Sequence, residues 1–343
     1  MKVAFLVKNL NLTDGWGSYS FYLIEALKRQ GLDAVVIDVN KNYFQAKKLI
    51  KGCDVVHSLV EPMAFFGSLI KGGRPFFITA HGTYAVEPLD KFGLSGLKLS
   101  YAYKKADAVV CVSHFTENEI KKRKPKIKTI VINNGVDFQK FQTKGSISDF
   151  EFINDHSPII LGVGALKRRK GYHISIPTVA EVKKQFPNLL YIISGDQSDS
   201  QYFVELKNLA ISNKSEDNIK FIEADDQELI NLYHHADIFL LTPVNIGNHF
   251  EGFGLVYLEA GACGVPSVGS KGCGAEDAIK DNQTGFLVEQ NNIKKTSESI
   301  LKILQDKNLR QKLSQEARAL AQSMSWKTTS QNLIRLYQEA LLK

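Results

Sequence analysis

Two glutamates with seven residues between them, bent around paired glycines, offer the first chemistry in this 343-residue chain. They lie in His249-Phe250-Glu251-Gly252-Phe253-Gly254-Leu255-Val256-Tyr257-Leu258-Glu259, which follows an apolar strand-like run and enters an apolar helix-like one. Gly252 and Gly254 let the backbone approach a ligand and expose the amides that open a helix. Those amides, from Phe253 through Leu255 and Val256, sit at the positive end of the helix dipole and suit a diphosphate. Glu259 falls about one and a half turns into the helix, where two ribose hydroxyls would satisfy its carboxylate. Glu251, in the loop before the helix, is placed to meet a sugar hydroxyl. Each glutamate taken singly also has an ordinary structural reading. Glu251 can complement the helix dipole, and Glu259 can be a salt-bridged helix residue.

A second group of residues fits the same ligand. A strand predicted at 159–163 ends in Gly164-Ala165-Leu166-Lys167-Arg168-Arg169-Lys170-Gly171. A glycine turn followed by four cations, at a strand's carboxyl end, forms a clamp for a pyrophosphate, or else a solvated basic turn. Gly15-Trp16-Gly17 follows the first strand and opens a helix, so it too can reach phosphates. His81, in His81-Gly82-Thr83, comes after a strand predicted at 76–79, at the edge where open α/β sheets bind ligands. Asp196, after another strand end, borders the nucleoside side. His114 belongs to a helix start capped by Ser113.

The elements that must position these residues alternate between short β-branched runs and helix-period stretches. Strands are predicted over 3–7, 34–38, 55–57, 76–79, 108–112 and 129–132, and again over 159–163, 190–194, 219–222, 238–241, 266–268 and 285–288. Continuous apolar strands alternating with helices specify parallel sheets covered on both faces. Two sets near 150 residues each predict an α/β protein of two doubly wound Rossmann-like domains. The first domain spans 1–140 and the second 158–325, joined by a polar linker over about 135–157, where the turn residues Asn133-Asn134-Gly135-Val136-Asp137 mark the boundary. The tail is helical with a break near 323–326. Its last segment, 326–342, has an apolar stripe that needs a surface to cover.

With these residues assembled, the chain resembles glycosyltransferase family 4, the retaining nucleotide-sugar glycosyltransferases of the GT-B fold. Glu251 and Glu259 match the family's E-x7-E pattern. Gly264-Val265-Pro266, the stretch Ser270–Glu276 and Asp281-Asn282-Gln283-Thr284-Gly285-Phe286-Leu287-Val288 look like its later motifs. The resemblance is clear over about 130–290 and weaker toward the N-terminus. It implies two domains facing a cleft, with 158–325 taking the nucleotide-sugar donor, 1–140 taking the acceptor, and 326–343 returning to the first domain. It puts Glu251 at the donor sugar, Glu259 at the ribose and Lys170 at the leaving diphosphate, and it raises Gly15 and Gly17 as donor-side residues. The family often carries Arg where this chain has Ala165; Arg168 or Arg169 would substitute. Similar transferases keep a histidine near the anomeric centre after this strand, which makes His81 the acceptor-side residue. The resemblance also implies retention of configuration, by front-face attack through an oxocarbenium-like state.

No metal and no cofactor is expected: no acidic pair stands at a strand end, since Asp225-Asp226 leads a helix, and cations with helix amides would do a metal's work. Two other functions fit the same layout, a nucleotide-sugar epimerase and a non-catalytic two-lobed sugar-binding protein. The acceptor is expected to be a glycan or lipid-linked.

Charge and composition narrow the partners. Residues 1–150 carry 22 Lys and Arg against 13 Asp and Glu, while the remainder carries 21 against 23. The basic excess peaks at Lys121-Lys122-Arg123-Lys124-Pro125-Lys126-Ile127-Lys128, which offers either a peripheral contact with anionic membrane or a phosphorylated acceptor, or is a solvated loop. No nucleic-acid motif is present. The four cysteines lack CxxC spacing and read as reduced, mostly buried thiols. A short apolar N-terminal run reads as a first strand rather than a secretion signal, and no apolar run is long enough to span a bilayer. A cytoplasmic protein, peripheral at most, is expected.

Overall fold

The computed structural model describes residues 1–12, 14–42, 44–91, 93–143, 145 and 148–343. The chain divides into two compact units, residues 1–135 with 324–343, and residues 136–323. Each is built on a parallel sheet, six-stranded among the described residues.

In the first unit the strands are β1 (Lys2–Val7), β2 (Asp33–Asp38), β3 (Val55–Ser58), β4 (Phe76–Ala80), β5 (Ala108–Cys111) and β6 (Thr129–Val131), in the order β2-β1-β3-β4-β5-β6. Residues 3–7 of β1 are wholly buried, as expected of a central parallel strand with helices on both faces. The first helix spans Gly15–Arg29. Asp14 caps it, its Oδ1 accepting from the Gly17 amide at 2.8 Å. The Gly15-Trp16-Gly17 segment is the first helical turn and opens the helix, as its place after the first strand indicates. Ser113 caps the helix His114–Arg123 in the same way, accepting from Thr116 N at 3.0 Å.

The last helix, Trp326–Leu341, belongs to this unit. Trp326 lies over Tyr22, nearly parallel at 6.1 Å, and edge-on to Tyr19 at 5.6 Å. Thr329 Oγ1 donates to Asn133 O at 2.9 Å, and Gln30 Nε2 donates to Ser330 Oγ. Tyr337 is fully buried, its hydroxyl 2.6 Å from Nδ1 of His57 on β3.

The second unit holds β7 (Ile159–Val163), β8 (Leu190–Ser194), β9 (Ile219–Ile222), β10 (Ile238–Leu240), β11 (Ser267–Ser270) and β12 (Gly285–Val288), in the order β12-β11-β10-β7-β8-β9. β11 starts one residue later than the sequence pattern indicates because Pro266 has no amide to give the ladder; its carbonyl still accepts from Phe239 N at 3.0 Å. The segment expected as a linker is not a bare tether. Gln142 Nε2 donates to Ala262 O at 3.0 Å and Gly145 N to Asn231 Oδ1 at 3.0 Å, which fastens it to this unit. Residues 144, 146 and 147 of that linker lie outside the described residues.

Strand order also says where ligands should sit. In doubly wound sheets the crevice opens where the winding reverses, at the carboxyl ends of the two strands flanking that point. The reversal falls between β1 and β3 in the first unit and between β7 and β10 in the second.

Candidate active site

At the β7–β10 switch point the cation turn and the glycine bend come together. After β7, Arg168–Lys170 form a tight turn closed by Gly171, whose φ is +76°. A Cβ on Gly171 would stand 1.7 Å from Thr242 O, so the turn rests directly on the backbone that follows β10. Thr242 Oγ1 donates to Gly171 O at 2.8 Å, and Val244 N donates to Arg169 O at 2.9 Å. Fixed this way, Lys170 Nζ donates to Glu251 Oε2 at 2.6 Å and Arg169 Nη1 to the same oxygen at 3.0 Å. Glu251 is 8% exposed. Burial alone would raise its pKa, but Lys170 first and Arg169 second overcome that and bring it to about 2. Two cations on one carboxylate leave the cluster with an unbalanced positive charge.

The four cations are not equivalent. Arg168 turns away and gives both oxygens of Glu205 a hydrogen bond at 2.7 Å. Arg169, rather than Arg168, joins Lys170 at Glu251.

The glycine bend continues from Glu251. Gly254 is the left-handed N-cap of the helix Leu255–Ala262 and supplies no side-chain cap. The first amides of that helix are therefore left without an intrahelical partner, at the positive end of its dipole. Gly274 N donates to Glu251 O at 2.8 Å and Tyr257 hydroxyl to Leu241 O at 2.9 Å, which hold the bend against β10 and β11. Phe253 is buried, while Leu255 and Val256 are partly exposed at the helix mouth. Glu259, half-buried on the same helix, accepts from the Tyr233 hydroxyl at 2.9 Å. Burial raises its pKa against the opposing pull of that hydrogen bond. Asp196 is exposed, and its two oxygens accept from the amide and the hydroxyl of Ser198 at 2.9 Å.

The first unit has its own cluster at the β1–β3 switch point. Asn9 Nδ2 donates to Asp14 Oδ2 at 2.9 Å and Asn9 Oδ1 accepts from Asn11 N at 2.8 Å, folding the loop after β1 over the first helix. A Cβ on Gly17 would lie 2.0 Å from Asn11 O, so this glycine is sterically required, whereas Gly15 faces open space. Trp16 meets Tyr84 at 4.8 Å, and Tyr19 meets His81 edge-on at 4.5 Å. The Gly15–Gly17 turn and the His81 loop are thus neighbours.

His81 is partly exposed, and its imidazole is held in the neutral form. Desolvation lowers its pKa to about 4, and its Nε2 stands 2.7 Å from Leu59 O. A carbonyl only accepts, so Nε2 carries the proton and Nδ1 is the basic atom. Glu61, just past β3, is 4% exposed, and its Oε1 accepts from His81 N at 2.6 Å. Its Oε2 has no hydrogen-bond partner among the described residues. Burial first of all, against backbone amides of His81 and Gly82, raises its pKa to about 7.

Of the basic run, Lys121 pairs with Glu117 at 2.8 Å, and Arg123 with Asp90 at 2.8 Å and Glu119 at 2.7 Å. Among the described residues no group of His, Cys, Asp and Glu could hold a metal ion, and no helix is long and apolar enough to cross a membrane.

Residues 143–320 match the family model described as Glycosyl transferases group 1, more than half of the chain, and residues 38–140 match Glycosyltransferase Family 4. The chain belongs to the group 1 glycosyl transferases. It is 25% identical over 322 residues to an uncharacterized glycosyltransferase of Methanocaldococcus jannaschii, covering 93% of this chain and 80% of that one. It is 32% identical over 189 residues to a D-inositol 3-phosphate glycosyltransferase of Corynebacterium efficiens, covering 54% and 43%. Apart from the archaeal protein, the chain spans about half the length of the curated relatives it matches. Among solved structures, Anabaena HepE in complex with UDP-glucose aligns with a TM-score of 0.81 at 20% identity, over 99% of this chain and 100% of that one. A glycosyltransferase from Rickettsia africae aligns at 0.77 and 20%, over 99% and 98%. These likenesses are of fold, the GT-B fold of two Rossmann-like domains.

For a group 1 glycosyl transferase of this plan, residue spacing alone misses Glu61 and Tyr233. A lone acid before a proline, after an apolar strand, was the only signal for Glu61, and Tyr233 looks like any apolar-face residue of its helix.

Proposed function

We propose that this chain transfers a sugar from a UDP- or GDP-linked donor to a glycan or lipid-linked acceptor, with retention and without a metal. The observation that carries this reading is the pairing of Arg169 and Lys170 on Glu251 beside the open N-terminus of the Leu255–Ala262 helix. A diphosphate leaving group needs its developing charge neutralised, and these cations with the helix amides supply that in a buried setting. The bond between the anomeric carbon and the diphosphate oxygen breaks, with the electron pair going to that oxygen. An acceptor oxygen bonds to the same face, and its proton passes to the departing phosphate. Glu251 holds the donor sugar, Glu259 the ribose, and Gly252 to Val256 the phosphates. Gly15 and Gly17 contribute on the first unit, where His81 serves the acceptor side. The UDP-glucose in the HepE structure and a GDP-mannose-dependent mannosyltransferase of Corynebacterium glutamicum among the relatives support both donor classes.

The test is thermal stabilisation by a panel of UDP- and GDP-sugars, followed by transfer in excess EDTA with the product's anomeric configuration read by NMR. Stabilisation by one donor and a retained product are expected. Inversion, or loss of transfer restored by magnesium or manganese, overturns the corresponding part. Release of nucleotide and a 2-epimer without acceptor would replace transfer by epimerisation.

A further inference from the structure

The helix Leu94–Lys105 has two apolar faces, and only one is covered. Gly96, Leu99, Ala102 and Tyr103 are buried, facing the body of the first unit. On the opposite side Leu94 is 72% exposed, Leu97 69% and Tyr101 42%, spaced three and four residues apart so that they share one stripe. Leu69, 56% exposed, extends the stripe from the neighbouring helix Ala64–Ile70, where Phe65 meets Tyr101 edge-on at 6.0 Å. Scattered exposed leucines are ordinary, but four large apolar side chains on two packed helices make a patch.

Lysines rim that patch. Lys98 Nζ stands 5.5 Å over the Phe65 ring centre and Lys105 Nζ 5.5 Å over that of Tyr101, so their charges lie against the aromatic faces of the patch. Residues 91–105 contain four lysines and no acid, though Lys91 pairs with Glu87 at 2.6 Å, and the Ala64–Ile70 helix carries no charge at all. Leucines and a tyrosine flanked by lysines, on a helix otherwise anchored to a folded body, match the interfacial region of an anionic bilayer. An acidic protein surface would complement the lysines but leave the leucine stripe against polar groups. The 121–128 run has the charge without the apolar stripe, and its leading cations are engaged by Glu117, Glu119 and Asp90.

We propose that the exposed face of the Leu94–Lys105 helix, with Leu69, docks the first unit on an anionic lipid surface. The buried side of that helix packs against the helix Thr83–Asp90, where the Tyr103 hydroxyl donates to Ala85 O at 2.9 Å, which leaves the stripe facing outward.

Co-sedimentation with vesicles of phosphatidylglycerol mixed into phosphatidylcholine, and with phosphatidylcholine alone, tests this without any donor or acceptor. The wild-type chain should bind the mixed vesicles and not the neutral ones. Leu94→Glu with Leu97→Glu should cut binding by about tenfold or more, since two partly inserted leucines are replaced by repelled charges. Its melting curve should stay unchanged, both positions being solvent-facing. Lys124→Ala with Lys126→Ala should alter binding by less than about twofold. No binding to mixed vesicles overturns the proposal, and so does undiminished binding by the leucine variant. Loss of binding in the lysine variant alone moves the contact to the 121–128 run. Light scattering that shows a wild-type dimer, with a monomeric leucine variant, would assign the face to a second copy of this chain instead.

Discussion

Lys170 and Glu251 stand 2.6 Å apart with both side chains close to nine-tenths buried, at the carboxyl ends of β7 and β10 where the winding of their sheet reverses. Arg169 shares the same carboxylate oxygen. A buried ion pair of this kind is weak evidence for stability, because its Coulomb gain offsets a large desolvation cost. Its position is set by a turn that touches the backbone after β10; in the function proposed above the pair serves as a charge reserve for an anion.

Acid should therefore act on this cluster in a defined window. Glu251 titrates near pH 2 in the folded chain against about 4.3 unfolded, so its contribution is present above about pH 4.3 and lost as pH falls through 2. The full difference is worth about 3 kcal/mol. Glu251→Gln should cost stability at neutral pH, and the cost should shrink between pH 4.3 and 2. Denaturant melts of both proteins at stepped pH check this; a cost independent of pH would mean the charge pairing is not what Glu251 contributes.

Lys170→Ala should lower the rate of transfer far more than it lowers stability, because Arg169 still balances Glu251. A loss of about a hundredfold or more in single-turnover rate is expected for a group that meets developing charge. Arg168→Ala should have little effect, since Arg168 is turned onto Glu205. If Arg168→Ala is the slower enzyme, the clamp has been assigned to the wrong cation.

Which parts of this were legible in the sequence follows from which signals are local. Parallel strands buried on both faces are continuous apolar runs, so β7, β8, β9 and β12 fall at the boundaries their residues indicate. The placement of Glu251 before a helix and of Glu259 within it is legible because paired glycines ahead of an apolar run mark a bend that opens a helix. Four consecutive cations give no such guide. Only the turn closed by Gly171 separates Arg168 from Arg169, and that turn depends on a contact with Thr242, 71 residues on. Glu61 is hidden for a stronger reason: it matters because β3 lies beside β1, and strand order is not written in any local pattern. The partners of the Trp326–Leu341 helix, His57 and Tyr19 among them, are equally non-local.

Glu259→Ala should weaken nucleotide binding by about 1.5–3 kcal/mol, the usual loss for a charged hydrogen-bond partner. Tyr233→Phe should give a smaller loss, since it removes the hydroxyl that holds the carboxylate and leaves the carboxylate in place. Calorimetric titration with UDP and GDP measures both. Unchanged affinity of the Glu259 variant for whichever nucleotide binds the parent would remove the ribose assignment.

Glu61 should make the first unit less stable as pH rises across the neutral range. Its carboxyl titrates near 7 when folded and near 4.3 when unfolded, because the folded site withholds water from the charged form. Below about pH 4.3 it is protonated in both states and costs nothing. Between about 4.3 and 7 the unfolded chain ionises first, so stability is lost through that interval and the loss is complete above 7, up to about 3–4 kcal/mol. Glu61→Gln keeps an oxygen for the His81 amide and removes the ionisation. His81 and His57 also titrate low, to about 4 and about 3, through burial, and they do so in both proteins. The difference in unfolding free energy between variant and parent should therefore shift in the variant's favour from pH 4 to pH 8, against a constant cost for the buried amide. Parallel stability curves over that range would show that Glu61 is ionised or solvated in the folded chain, and would remove it from the buried partners of His81.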